Sequence, residues 1–219
     1  MSIVLKNIEK TINGITVLKN INLQFEYGVV YGLKGKNGSG KTMLMKTLCG
    51  LVIPSKGTIE IDKINLTQSK CFPESIGALI EAPAFLPEYT GRGNLKALAQ
   101  IGKEKIETEE IDKVITMVGL DSSDKRTYRK YSLGMKQRLG IAAAIMGYPK
   151  IVVLDEPSNA LDVDGIALLH TICDELKKHE CMVILSCHDA QELEELSDVI
   201  ITIVQGEVTD WRENNESIM

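Results

Sequence analysis

The sequence predicts an α/β fold: a mostly parallel sheet, an antiparallel β layer near the N-terminus, and an inserted lobe of helices. Three observations carry this. The first third alternates apolar and polar residues, and the last third holds continuous apolar runs. Between them, from about residue 88 to 147, the periodicity is helical with no strand-like run.

In chain order, Ile3-Val4-Leu5 alternates into Lys6-Asn7-Ile8, a turn at Asn13-Gly14 follows, and then Val17-Leu18 and Ile21-Asn22-Leu23-Gln24-Phe25. Gly57-Thr58-Ile59-Glu60-Ile61 alternates again, so these strands share one polar face and suit an antiparallel layer. Val29-Val30-Tyr31-Gly32-Leu33 is short and apolar, as a buried strand is, and Met43 to Cys49 is helix-forming up to a cap at Gly50. In the middle stretch Leu95, Leu98, Ala99 and Ile101 make one helical face. Ile111, Val114, Ile115 and Val118 make a second, and Leu139, Ala142, Ala143 and Met146 a third. Ile151-Val152-Val153-Leu154, Met182-Val183-Ile184-Leu185 and Val199 to Val204 are apolar throughout, as parallel strands covered on both faces require. The expected organisation is one domain over 1–219, with a core of 1–83 and 148–219 and a helical lobe of 84–147.

Composition narrows the class. A net charge of −5 argues against a nucleic-acid partner, whose phosphates would need Lys and Arg to neutralise them. No apolar run approaches the roughly 18 residues of a membrane span, and Met1 to Lys6 lacks the basic start and apolar stretch of a signal peptide. The chain is therefore expected to stay in the cytoplasm. Cys49, Cys71, Cys173, Cys181 and Cys187 are scattered, with no C-x-x-C pair, and read as reduced, mostly buried thiols.

Chemistry enters at Gly35-Lys36-Asn37-Gly38-Ser39-Gly40-Lys41-Thr42, which fits G-x-x-x-x-G-K-[ST] between a strand and a helix. The glycines let backbone N–H groups close around phosphate oxygens, and the helix N-terminus adds partial positive charge. Lys41 would reach the β- and γ-phosphates and the Thr42 hydroxyl would ligate Mg²⁺, so the chain is expected to bind a nucleoside triphosphate. The strand Ile151 to Leu154 runs into Asp155-Glu156. Asp155 would hold Mg²⁺ through water, and Glu156 would orient or deprotonate an attacking water. Ser132, before Leu133-Gly134-Met135-Lys136-Gln137-Arg138, is a helix N-cap; that helix start is either a plain capped turn or a second anion site.

The order of phosphate loop, S-x-G-x-K-Q-R, Asp155-Glu156-Pro157, Asn159-Ala160-Leu161-Asp162 and Ser186-Cys187-His188 resembles the nucleotide-binding subunit of ATP-binding cassette transporters, over about residues 3–208. Ile76 to Pro83 and Tyr131 to Gly140 look most like exporter ATPases of the bacitracin-resistance and lantibiotic-immunity group. The resemblance implies ATP and Mg²⁺ as cofactors, ATP hydrolysis coupled to export of a peptide antibiotic or other small amphipathic compound, and a P-loop NTPase core. It implies an ATP-dependent homodimer in which Ser132 and the Gly134 amide contact the γ-phosphate held by the partner's residues 35–42. Asp162 would align the two halves, and His188 would hydrogen-bond the γ-phosphate. Integral membrane subunits would be contacted near residues 81–89, with Phe85 and Leu86 lining a groove, and the chain would lie peripherally on the inner face of the cell membrane. An importer ATPase or a soluble ATPase of the same family is the alternative.

Three positions depart from that family's pattern. Ile12 stands where an aromatic ring usually stacks on adenine, which implies weaker ATP affinity, by about 1 kcal/mol. Tyr131 and Leu133 replace a leucine and a glycine of the signature. Glu81 stands where a glutamine usually touches Mg²⁺ and the membrane partner. A carboxylate binds Mg²⁺ more strongly than an amide but cannot donate a hydrogen bond when ionised.

Overall fold

The structure, a computed structural model, describes residues 2–62, 64–69, 73, 75–102 and 106–214. Strands β1 (Ser2–Ile12), β2 (Ile15–Glu26), β4 (Lys56–Ile61) and β5 (Ile64–Asn65) form an antiparallel sheet in the order β2-β1-β4-β5. The second sheet contains β3 (Val30–Lys34), β6 (Ile76–Leu79), β7 (Ile151–Asp155), β8 (Met182–Ser186), β9 (Val199–Val204) and β10 (Glu207–Glu213), in the order β10-β9-β3-β8-β7-β6. It is parallel except where β10 pairs with β9. The expected fold class is thus the observed one.

Period-two alternation explains why the parallel strands read as continuous apolar runs. Ile151, Val153, Met182 and Ile184 face one buried layer, while Val152, Leu154, Val183 and Leu185 face the other. The first layer is closed by helix α1 (Lys41–Leu48), through Leu44, Met45 and Leu48, and by Ile3, Leu5, Ile21 and Phe25 of the antiparallel sheet. The second is closed by α5 (Leu133–Ile145), α6 (Val163–Lys178) and α7 (Ala190–Leu196).

Short α2 (Leu66–Ser69) precedes β6, and α3 (Gly91–Ala99) and α4 (Thr108–Met117) follow it, ahead of a 3₁₀ turn at Tyr128–Lys130. On α4 the predicted face is buried: Ile111, Val114, Ile115 and, just past the helix end, Val118. On α3 it needs correction. Leu95 is buried and Leu98, inside the helix, is 40% exposed, while Ile101 is 82% exposed because the helix ends at Ala99 and Ile101 falls in the turn beyond it. Two strands carry no apolar run to announce them. β6 is four residues long with Gly77 and Ala78 at its centre, and β10 is a polar edge strand.

Cys49, Cys173, Cys181 and Cys187 are free and buried, while Cys71 lies outside the described residues. Burial raises the Cys49 and Cys173 thiols to about 12, the Cys181 thiol to about 11, and pushes Cys187 up as well. At pH 8 a thiol with a pKa of 11–12 is only about 10⁻³ to 10⁻⁴ thiolate. Cys49, Cys173 and Cys181 should therefore resist a thiol reagent in the native protein and react at unfolding-limited rates. Rapid alkylation of any of the three, mapped by peptide mass spectrometry, would contradict this packing.

Candidate functional site

The strand order decides which loops meet. β8 lies between β3 and β7, so the segments leaving the carboxyl ends of β3, β8 and β7 are neighbours at one sheet edge. They carry the phosphate loop, Ser186-Cys187-His188 and Asp155-Glu156 respectively.

The turn from β3 into α1 adopts left-handed backbone at Gly38 (φ 78°) and Gly40 (φ 113°), which leaves the helix N-terminal N–H groups open to a ligand. Lys41, 8% exposed, folds back over this turn, and its Nζ donates to Gly35 O (2.7 Å) and Lys36 O (3.4 Å). The Ser39 hydroxyl is buried with no hydrogen-bond partner. An unpaired buried hydroxyl in the loop, together with a buried ammonium and an uncapped helix N-terminus, fits an anionic ligand rich in acceptor oxygens.

Opposite the turn, Asp155 accepts from Thr42 Oγ1 on Oδ2 (2.7 Å) and from Ser186 Oγ on Oδ1 (2.7 Å). Ser186 Oγ in turn accepts from the Glu156 N–H (3.1 Å). Glu156 itself sits in the left-handed region (φ 52°), a conformation that costs a non-glycine residue roughly 1–3 kcal/mol and persists only where the surroundings enforce it. Its Oε2 accepts from Asn159 Nδ2 (2.7 Å) and lies 2.8 Å from His188 Nε2. Val17, Asn37, Gly38, Gly40, Lys41, Thr42, Met43, Glu156 and His188 line a crevice of about 430 Å³ between these groups. A second cavity of about 730 Å³ lies on the other flank of the loop, against Leu193, Ile203 and Cys187.

Thr42 and Asp155 offer a hydroxyl and a carboxylate to a cation, and no cluster of three or more His, Cys, Asp or Glu side chains able to hold a metal occurs among the described residues. A small oxygen-donor set fits Mg²⁺, which keeps several waters and takes its remaining ligands from substrate phosphates. Glu81 (φ 63°) gives its carboxylate to Lys46 Nζ on α1 at 2.5 Å.

Lys41, Thr42, Asp155, Glu156 and His188 thus converge. Ser132, Gly134 and Asp162 do not line either cavity beside their own phosphate loop. Ser132 caps α5, its Oγ accepting from the Met135 N–H (3.2 Å). Asp162 caps α6 by accepting from the Gly165 N–H (2.9 Å) and pairs with Arg138 Nη2 (2.7 Å); those partners hold its carboxyl below the usual range. Ile12 is 37% exposed at the end of β1, and Val17 lines the crevice in its stead. Phe85 packs edge-on against Tyr128 at 5.2 Å, whereas Leu86 and Tyr89 are 50% and 52% exposed. His179 stacks on Tyr148 at 3.8 Å, remote from this chemistry. Sequence reasoning assigned no role to Ser186, Asn159, Gln137 or Arg138. Only their places within the quoted motifs hinted at one.

The ABC transporter family model matches residues 18–159. An ABC transporter ATP-binding protein of Bacillus subtilis (strain 168) is 42% identical over 200 residues, 91% of this chain and 91% of that protein. The bacitracin transport ATP-binding protein of Enterococcus faecalis is 36% identical over 208 residues, 94% of this chain and 67% of that one. The lantibiotic transport ATP-binding protein of Streptococcus pyogenes is 34% identical over 220 residues, covering 98% and 94%. In fold, the chain superposes on a dimeric ATP-binding cassette in a post-hydrolysis state bound to ADP and Pi, with a TM-score of 0.86 at 23% identity over 97% of this chain and 98% of that one.

Ser186→Ala would leave one oxygen of the buried Asp155 carboxylate and the Glu156 N–H without partners. Stripping buried polar groups in this way costs about 1–3 kcal/mol. A loss of that size is expected in urea unfolding; an unchanged midpoint and slope would mean that the serine does not hold the two carboxylate residues in place.

Proposed function

The chain belongs to the ABC transporter family, and from that premise we propose how it works as an ATP-binding, ATP-hydrolysing subunit that powers export through separate membrane subunits. The observation that carries the proposal is the hydrogen-bonded run Thr42–Asp155–Ser186–Glu156, which sets a carboxylate base across the crevice from a phosphate cradle.

In this reading residues 35–42 wrap the phosphates, and Lys41 releases the Gly35 and Lys36 carbonyls to reach the β- and γ-phosphate oxygens. Mg²⁺ held by Thr42 and Asp155 would neutralise phosphate charge. Glu156, held by Asn159 and His188, orients the attacking water in line with the γ-phosphate and accepts its proton. His188 then donates to a γ-phosphate oxygen as negative charge develops there. Positioning, charge stabilisation and the proton transfer to Glu156 supply the rate, and no covalent intermediate is needed.

The pocket is completed by a second copy. Ser132 and the Gly134 amide stand at a helix N-terminus that lines neither cavity beside their own phosphate loop, and a twin molecule would bring them to the γ-phosphate across the interface. ATP then acts as a ligand selective for the closed dimer, and hydrolysis removes that bias. Exposed Leu86 and Tyr89, a few residues beyond Glu81 in sequence, would meet the membrane subunits, and the chain would then lie on the inner face of the membrane. Names of relatives that transport bacitracin and lantibiotics favour a peptide antibiotic or a similar small amphipathic compound as cargo.

Glu156→Gln should lower turnover by about 10²- to 10⁴-fold and trap an ATP-bound dimer on gel filtration. Monomer only, at saturating ATP, would defeat the shared pocket. Glu81 we assign to coupling rather than chemistry, with Lys46 holding its carboxylate until the membrane partner engages. Glu81→Gln should leave ATPase turnover of the isolated subunit within a few-fold while transport by the reconstituted complex falls; near-total loss of turnover would instead make Glu81 part of the hydrolytic site.

A further inference from the structure

Glu156 serves the chain's own pocket and Ser132 the neighbour's, yet a single helix holds both. The loop 156–162 runs from the end of β7 to the cap of α6, and three residues of α5 fasten it along its length. At the start, Gln137, 8% exposed, donates from Nε2 to both Glu156 O and Pro157 O, each at 3.1 Å. In the middle, a Cβ on Gly134 would stand 2.8 Å from Ala160 O, so helix and loop touch backbone to backbone. At the end, Arg138 Nη2 meets Asp162 Oδ1 at 2.7 Å, while its Nη1 donates to Val118 O at the end of α4 (3.1 Å). Three contacts thus tie the loop to the helix along its length. Ser132 caps that helix about one and a half turns before Gln137.

The first of these contacts bears on the chemistry. A buried primary amide that spends its donor on two successive backbone carbonyls fixes the path of the main chain. The residue whose path it fixes is the left-handed Glu156. The Glu156 N–H is taken from the β8 side by Ser186 and its C=O from the α5 side by Gln137, so the peptide groups on both sides of its Cα are pinned by different elements. Only the α5 side also reaches a pocket in another molecule.

We propose that Gln137 is a positioning residue that couples the two reaction centres of the dimer: it holds the backbone of the base in its own pocket and answers to Ser132 in the partner's. The proposal rests on the shared-pocket reading. When Ser132 meets a γ-phosphate, α5 settles, and the Gln137 amide settles Glu156 with it. An occupied neighbour therefore completes the local base, and hydrolysis becomes cooperative in ATP without any change in the groups that touch nucleotide.

The test is steady-state hydrolysis by the full chain as a function of ATP concentration. Gln137→Met keeps length and apolar bulk and removes the donor, and Gln137→Lys restores a donor. For the wild type a Hill coefficient approaching ~2, the number of sites, is expected. The Met variant should lose about tenfold in kcat with KM within about twofold, its Hill coefficient should fall toward 1, and the Lys variant should recover cooperativity. If the Met variant does not fold, Gln137→Glu takes its place. As a carboxylate it faces the two carbonyls without a proton, so cooperativity should vanish at pH 8 and return as the carboxyl protonates in acid. A folded Met or Glu variant with wild-type cooperativity and kcat overturns the coupling role alone. A wild-type Hill coefficient of 1 likewise overturns the coupling, whereas a Glu156→Gln variant that stays monomeric at saturating ATP overturns the shared pocket on which it rests.

Discussion

The hydrogen bond from Thr42 to Asp155 is the contact on which the arrangement of the site depends. Its two ends belong to segments leaving β3 and β7, which are separated by β8 and so stand roughly 10 Å apart. The bond forms because Thr42 opens the second position of α1, where the chain has already turned back over the sheet edge, and Asp155 is the last residue of its strand. Asp155 is 9% exposed, and a carboxylate so far from water is tolerable only when its oxygens are satisfied. Two hydroxyls satisfy it, Thr42 from the start of α1 and Ser186 from the end of neighbouring β8, and the serine passes the constraint on to the Glu156 amide. Glu156 is therefore placed through its backbone amide, separately from the side-chain contacts that orient its carboxylate.

Much of the scaffold could be read directly because burial on both faces leaves a sequence signature. β7, β8 and β9 are covered on both faces over most of their length, so apolar residues run on without alternation up to Asp155 and Ser186, and with Thr202 as the one polar residue of β9, and the strands stand out. β6 and β10 do not, for opposite reasons. β6 is pressed so closely against α5 that small residues replace the usual branched ones, and β10 is an edge strand whose exposed side chains carry no apolar period. Ile101 shows the converse error: its spacing extended the α3 face past the point where the helix stops.

The site divides along similar lines. Residues 35–42 and Asp155-Glu156 were legible because local backbone context makes their chemistry: a turn into a helix, a strand into an edge. Ser186, Asn159, Gln137 and Arg138 act through partners that only the fold supplies. Gln137 finds its carbonyls 19 and 20 residues away, and Ser186 finds Asp155 at 31. Nothing in spacing pairs them. Glu81 falls between the cases, its unusual residue type visible in sequence and its engagement with Lys46 visible only in space.

In the shared-pocket reading a second copy needs nucleotide to arrive, because the exposed surface around the caps is small. Ser132 and Asp162 cap α5 and α6, and the first helical residue after each cap is an exposed aliphatic: Leu133 at 72% and Val163 at 82%. Burying one such side chain completely contributes about 1.5–3 kcal/mol. Association costs an estimated 4–15 kcal/mol in lost translational and rotational freedom before any polar group is desolvated. Two aliphatic residues on each copy, four in the pair, would contribute about 6–12 kcal/mol at most, which lies inside that range before the cost of desolvating polar groups is added. In the shared-pocket reading the balance comes from the γ-phosphate, which meets Lys41 on one side and a serine-capped helix N-terminus on the other, so that neither half holds it fully alone. A contact too weak to persist without its ligand and complete only with it releases when the γ-phosphate is lost, and that is the property a subunit must have if each hydrolysis is to reset the pair.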